Sequence, residues 1–81
     1  MNQLNSLILE GKFAHFTSKK GSLPLEFLLE NNGKKYTVVV PNKQMADVFI
    51  RQKPSSIRVV GRLDRNGKSV YITAEHIEMR K

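Results

Sequence analysis

The sequence of 81 residues contains no cysteine and no tryptophan, and it has only two histidines. Without cysteine, neither a disulfide nor a zinc–thiolate site can stabilise the fold. His15 and His76 alone are too few to hold a structural metal, so we expect no metal and no cofactor. Because a chain this short has a thin hydrophobic core, self-association is the remaining source of added stability.

Long apolar runs are also absent. No run approaches the roughly 20 residues that cross a bilayer. Residues 1–5 lack the cationic and apolar regions that begin a signal peptide. The sequence therefore predicts a cytoplasmic protein with no membrane partner.

Negative charge is scarce, since 7 Asp and Glu stand against 14 Lys and Arg, for a net charge of +7. With 40% hydrophobic residues, the chain has the composition of a folded basic domain and not of a disordered tail. A basic surface attracts polyanions, which favours nucleic acid as the partner. The alternative is that the charge only keeps a small protein soluble.

Groups that could support catalysis are few. Glu26 and Glu30 alternate on one predicted strand, but no further group completes a pocket for acid–base chemistry. Ser69, His76 and Asp64 match a hydrolytic triad in composition only. There is no glycine loop of the kind that holds phosphates. The sequence therefore predicts a binding protein and not an enzyme.

Short β segments separated by Gly, Pro and Asn dominate the chain, which is typical of an all-β protein. Five strands are predicted, at Ser6–Phe16, Leu23–Glu30, Lys35–Val40, Ile57–Leu63 and Ser69–Met79. One short helix is expected between strands 3 and 4, with Asn42 as its N-cap and Lys53-Pro54 at its end. This order predicts an OB-fold, a five-stranded Greek-key barrel, as a single domain over residues 1–81. An SH3-like barrel is the alternative, although its helical turn usually precedes the last strand.

The first predicted strand is long and contains Gly11, which often marks a bend. A strand bent there can serve both halves of a closed barrel. Alternation places Phe13 toward the core, together with Phe27 and Phe49 on other elements. The same alternation places Phe16 on the polar face beside Lys12. Phe16 is then either a platform for a base or part of a core or an interface.

A protein that binds single strands needs cations for phosphates and aromatic rings for bases. Arg58 and Arg62 alternate on the outer face of strand 4 and could grip successive phosphates, although a solvated strand looks the same. Tyr36 and Tyr71 are the candidate stacking residues, with a solvated barrel rim as the alternative role. The full candidate set is Lys12, Phe16, Lys19, Lys20, Lys34, Lys35, Tyr36, Arg58, Arg62, Arg65, Lys68 and Tyr71.

Segments across the chain resemble bacterial single-stranded DNA-binding proteins. They are Asn5–Phe13, Met45–Asp47, Val59–Leu63 and Ala74–Met79, in the order of that family. The best-matched pair is Gly61-Arg62-Leu63 with Ala74-Glu75-His76. Leu25–Glu30 and Ala74–Glu78 resemble the related primosomal replication protein equally well. The resemblance implies an OB-fold that binds single-stranded DNA during replication, recombination or repair, associated with the nucleoid.

The resemblance also implies a homodimer or homotetramer in which the first strand pairs with its symmetry mate. The implied interface residues are Leu7, Ile8, Leu9, Glu10 and Lys12. Replication-restart proteins are the implied protein partners, and RNA remains open as a second nucleic-acid partner. The chain departs from the family in having no tryptophan, no acidic glycine-rich tail and only short hairpins at Asn31–Lys34 and Asp64–Lys68. The absence of tryptophan favours an alternative function, an adaptor that joins proteins of the primosome and binds nucleic acid weakly. The net charge of +7 and the pair Arg58 and Arg62 oppose that alternative.

Overall fold

A computed structural model describes residues 6–19 and 23–80, in which five strands and one helix follow one another in the predicted order. The strands are β1 (Ser6–Phe16), β2 (Leu25–Asn31), β3 (Lys34–Val40), β4 (Ser56–Asn66) and β5 (Ser69–Arg80), and α1 is Lys43–Gln52. The strands close into a barrel in the order β1-β2-β3-β5-β4. Within the described residues, β3 and β5 form the only parallel pair. The predicted OB-fold, with its helix between strands 3 and 4, is confirmed.

β1 is shared between two neighbouring strands. It pairs with β4 from Ser6 to Lys12 and with β2 from Lys12 to Phe16. Just before the change of partner, a Cβ on Gly11 would overlap the backbone carbonyl of Glu30, so only glycine permits this approach. The prediction that this long strand serves both halves of the barrel is confirmed, with the change of partner at Lys12.

The core lies inside the barrel and under α1. The Phe27 and Phe49 rings stack with centroids 4.5 Å apart, and Phe13 meets them at 5.8 and 5.7 Å. The fully or nearly fully buried aliphatic residues are Leu25, Leu29, Val38, Val40, Ala46, Ile57, Val59, Ile72, Ala74 and Ile77. α1 therefore covers one end of the barrel, as its apolar stripe predicted, although Val48 of that stripe is 37% exposed.

Both ends of α1 are capped. The Asn42 side chain accepts a hydrogen bond from the Met45 N–H at 3.0 Å, which confirms the predicted N-cap. At the other end Lys53 has φ 48°, and its N–H donates to the Phe49 carbonyl at 3.1 Å. Among the described residues, no helix has the length and hydrophobicity needed to cross a membrane.

A bulge in β1 reverses its side-chain alternation. Phe13 pairs with Leu29, but the next pair joins His15 to Leu28, which leaves Ala14 as an extra residue. Phe16 then pairs with Phe27, whose side chain is fully buried. Residues paired across antiparallel strands share a face, so Phe16 points to the side of Phe13 and not to the side of Lys12. The prediction that Phe16 lies beside Lys12 is wrong.

Candidate nucleic-acid interface

A groove of about 400 Å³ lies on the outer face of β2 and β3 and extends to the β4–β5 hairpin. Thr37 and Val39 form its floor because the intervening Val38 and Val40 fill the core. The groove lies between the first and the last hairpin loops, where OB-folds bind oligonucleotides. Its full lining is Pro24, Glu26, Thr37, Val39, Asn66, Ser69, Val70 and Tyr71.

Tyr71 is the aromatic residue of this lining. It pairs with Asp64 across the β4–β5 hairpin, and it is half-buried, so one part of the ring is available to a ligand. The neighbouring Thr73 hydroxyl donates to the Asp64 carboxylate at 2.6 Å. That bond cross-links the two strands beside Tyr71. The ring therefore projects from a fixed backbone, as a stacking platform requires.

A carboxylate also lines the groove. Glu26 accepts a hydrogen bond from the Thr17 hydroxyl at 2.6 Å, and its backbone N–H donates to the Ser18 hydroxyl at 2.9 Å. These bonds tie the start of the first hairpin loop to β2. Because the Glu26 charge disfavours phosphate nearby, the groove floor suits the faces of bases better than it suits phosphates.

Tyr36 lies on the opposite face of β3 from Thr37. It pairs with the buried Leu29 and is in phase with Val38, yet it remains 36% exposed because the barrel ends here. Val38 pairs with Ile72 on parallel strands. Two residues earlier on each strand, Tyr36 and Val70 therefore lie side by side. Leu63 pairs with Ile72 from the other side.

We call Tyr36, Leu63 and Val70 the open-end patch, because they lie at the barrel end away from α1. Leu63 is 45% and Val70 is 46% exposed, which is unusual for aliphatic residues on the inner face of a strand. Val70 also lines the groove, so the two surfaces meet at this residue. The sequence did not predict Leu63 or Val70 as surface residues, because each alternates in step with the core residues of its strand.

The two arginines of β4 share an outer face, as predicted, but each is near carboxylates. Arg58 Nη1 lies 3.8 Å from Glu78 Oε1. Arg62 lies 3.8 Å from Glu75 Oε2 through Nε and 4.0 Å from Asp64 Oδ2 through Nη2. β4 lies between β1 and β5, so its outer face is not part of the groove between β2, β3 and the last hairpin. The structure therefore does not bring this arginine pair to the groove.

The remaining candidate cations divide by position. Lys35 faces outward opposite Glu30, and Lys68 is exposed in the turn of the β4–β5 hairpin. Lys34 and Arg65 pair with Asn31 and Val70, which puts them on the side of the open-end patch.

Of the four further candidates, three lie away from the groove or in the first loop, and one lies outside the described residues. Lys12 lies between Glu30 and Ser56, on the other side of β2 from the groove. Lys19 is exposed in the first loop, and Lys20 lies outside the described residues. Phe16 contacts Phe13 and Phe49, with ring centroids 4.9 and 5.9 Å apart, at the end covered by α1.

Among the described residues, the first half of β1 has one edge that pairs with no other strand. Its pairing with β4 begins at Ser6, but its pairing with β2 begins only at Lys12. On that second edge the Glu10 carbonyl accepts a hydrogen bond from the Asn31 side chain at 2.6 Å. Of the five predicted interface residues, Leu7 and Leu9 pack against the core, whereas Ile8, Glu10 and Lys12 are exposed.

No model of a protein family and no curated protein matches this chain. Among solved structures, its fold is similar to the crystal structure of a small single-stranded DNA binding protein from Mycoplasma pneumoniae, with a TM-score of 0.76. The two share 15% sequence identity, and the match covers 98% of this chain and 97% of that chain. The resemblance to short single-stranded DNA-binding proteins is therefore confirmed at the level of the fold.

Proposed function

We propose that this chain binds single-stranded DNA with little sequence preference, through the groove and the adjoining open-end patch. The observation that carries the proposal is the position of the groove, between the first and last hairpin loops of an OB-fold, with Tyr71 in its wall. The end-to-end similarity to a small single-stranded DNA binding protein supports it.

The proposed chemistry separates bases from phosphates. Bases stack on Tyr71 and contact Val39 and Val70, while phosphates follow the cations at the margins. The marginal cations are Lys34, Lys35, Arg65 and Lys68. Because every base has a flat π-face, stacking gives affinity without sequence readout. RNA offers the same π-faces and phosphates, so it remains a possible second ligand.

The experiment that tests the proposal is a titration of fluorescent oligothymidine of about 30 nucleotides, long enough for one or more OB-folds. It is carried out at two salt concentrations with duplex DNA of equal length as competitor. If about 3 to 5 phosphates are neutralised per protomer, log K falls against log salt with a slope of about −2 to −3.5. No saturable binding at low salt, or equal competition by duplex, would contradict the proposal.

We extend the proposal to the assembly and to the cell. The unshared edge of β1 suits pairing with the same edge of a second copy, giving a homodimer or, by further association, a homotetramer. Two or four barrels would lengthen the track for one strand and raise its avidity. The proposed setting is DNA replication, recombination or repair at the nucleoid, with replication-restart proteins as partners and without an enzymatic activity.

A second candidate function is an adaptor that joins proteins of a replication assembly and binds nucleic acid weakly. The ion pairs of Arg58 and Arg62 favour it, because these charges are already engaged. The absence of tryptophan also favours it. A pull-down from nuclease-treated lysate separates the two functions. Partners retained after nuclease treatment support the adaptor, and partners lost with the nucleic acid support strand binding.

A further inference from the structure

A second cavity, of about 430 Å³, lies between α1 and the strand ends at the covered end of the barrel. Its volume is in the range of ligand sites, and it is partly open to solvent. The residues that line it are Phe13, Phe16, Ser18, Leu25, Phe49, Ile50, Lys53 and Pro54. Six of these eight are apolar, so the cavity suits an apolar group.

The aromatic lining is ordered but incompletely covered. Phe16 meets Phe13 at 4.9 Å and Phe49 at 5.9 Å, the latter edge to face. Even so, Phe16 remains 41% exposed. An aromatic ring contributes most to stability or binding when it is fully buried. An apolar group that enters this cavity would therefore cover the exposed part of Phe16.

The charge at the cavity is positive. Lys53 lines it and is exposed, and its backbone is held by the hydrogen bond to the Phe49 carbonyl. No acidic residue lines the cavity, and the ion pairs between described residues do not involve Lys53. An occupant that places a carboxylate beside its apolar group therefore complements this surface.

We propose that this cavity binds an acidic peptide segment of a partner protein by receiving one large apolar side chain, with Lys53 meeting a neighbouring carboxylate. A peptide fits better than a free small molecule, because the cavity is open on one side and a side chain enters while its backbone stays outside. Among the described residues, the cavity and the groove share no lining residue, and they lie on opposite faces of the start of β2. This site would serve an adaptor function, and it does not depend on nucleic-acid binding.

The test uses the full chain and a short blocked peptide in which one tryptophan is flanked by aspartates. Since the protein has no tryptophan, the peptide alone gives the tryptophan fluorescence, and entry into the cavity shifts its emission to the blue. One control peptide has alanine in place of the tryptophan, and its binding is measured through an attached label. The other control peptide has asparagines in place of the aspartates. We expect both controls to bind at least roughly tenfold more weakly, because each lacks one half of the recognition.

Matched variants assign the binding to this cavity. Lys53→Glu is compared with Lys43→Glu, which makes the same charge change at the exposed start of α1. Phe16→Ser is compared with Val48→Ser, an exposed apolar residue of α1 that does not line the cavity. Only Lys53→Glu and Phe16→Ser should weaken peptide binding. Circular dichroism checks the fold, and oligothymidine affinity should be equal within each charge-matched pair.

Several outcomes would overturn the proposal. The first is that the emission of the aspartate–tryptophan peptide shows no blue shift. The second is that all three peptides bind equally. The third is that both variants of a matched pair lose the same amount of peptide affinity. If phenylacetate competes for the cavity as strongly as the peptide does, the cavity is instead a site for a small apolar acid. A parent chain that binds the aspartate–tryptophan peptide but shows no binding of oligothymidine would contradict the proposed function and leave this inference standing.

Discussion

At the scale of single residues, the two tyrosines show how far sequence reasoning reaches. Both were predicted as stacking residues, but Tyr71 lines the groove whereas Tyr36 lies on the other face of β3. The sequence shows that Tyr36 lies near the start of the third strand. It does not show that the barrel ends there, which is what leaves an inner-face residue exposed. Leu63 and Val70 were missed for the same reason.

Replacing Tyr71 with alanine should weaken oligothymidine binding by about 1 to 3 kcal/mol, because a stacking surface is lost. Tyr71→Phe keeps the ring and should stay close to the parent affinity. Fluorescence titration at constant salt measures both. Equal loss in the two variants would mean that the hydroxyl, and not stacking, makes the contact.

The cations should differ in their effect on binding according to their neighbours. Lys35→Gln removes a cation at the margin of the groove and should reduce the magnitude of the salt slope by about 0.7. Arg62→Gln removes the same charge, but Arg62 is held by Glu75 and Asp64 on another face. It should therefore change the slope little. The two variants are compared in titrations over a range of salt concentrations. A larger effect of Arg62→Gln would move the proposed site to β4.

At the scale of elements, turn residues and alternation were enough to place all five strands and the helix. The bulge at Ala14 was not predictable, because it is defined by the partner strand and not by the β1 sequence. One extra residue inverted the position of Phe16 and moved it from the proposed nucleic-acid surface to the cavity. Local sequence thus predicts which segments are strands more reliably than it predicts their register.

Gly11 should be indispensable to the path of β1. A methyl group at this position meets the Glu30 carbonyl, so Gly11→Ala forces β1 and β2 apart and should lower the free energy of unfolding by about 1 to 3 kcal/mol. Gly33→Asn is the control, because Gly33 has open space around it and asparagine tolerates its φ of 81°. Urea denaturation measures both. A Gly11→Ala protein as stable as the parent would show that the strands adjust freely.

The unshared edge of β1 predicts the behaviour of Ile8, which is 56% exposed. Ile8→Lys places a charge at the proposed interface between copies and should convert a dimer into monomers without unfolding the barrel. Val48→Lys introduces the same charge on α1 and should leave the assembly unchanged. Sedimentation velocity at micromolar concentration reports the mass. A parent protein that is already monomeric would refute the proposed dimer.

At the scale of the whole molecule, the net charge of +7 was visible from the sequence, but its distribution was not. Arg58 and Arg62 are engaged with Glu78, Glu75 and Asp64 on the outer face of β4 and β5. The cations that we propose to contact phosphates lie instead on the two hairpins at the other end of the barrel from α1. Pairing between strands distant in sequence decides which charges are neutralised, so composition alone predicts attraction to polyanions and not the place where they bind.

Binding of a single strand should stabilise the whole fold, because a ligand that binds only the folded state shifts the unfolding equilibrium. Oligothymidine at 100 times its Kd adds about 2.7 kcal/mol, which for a domain of this size raises Tm by roughly 10 to 20 °C. Thermal unfolding with equal phosphate concentrations of oligothymidine or duplex measures this directly. A shift with oligothymidine alone requires a site that accepts bases as well as phosphates. An equal shift with duplex would mean that the net charge alone attracts the nucleic acid, and the groove would lose its proposed role.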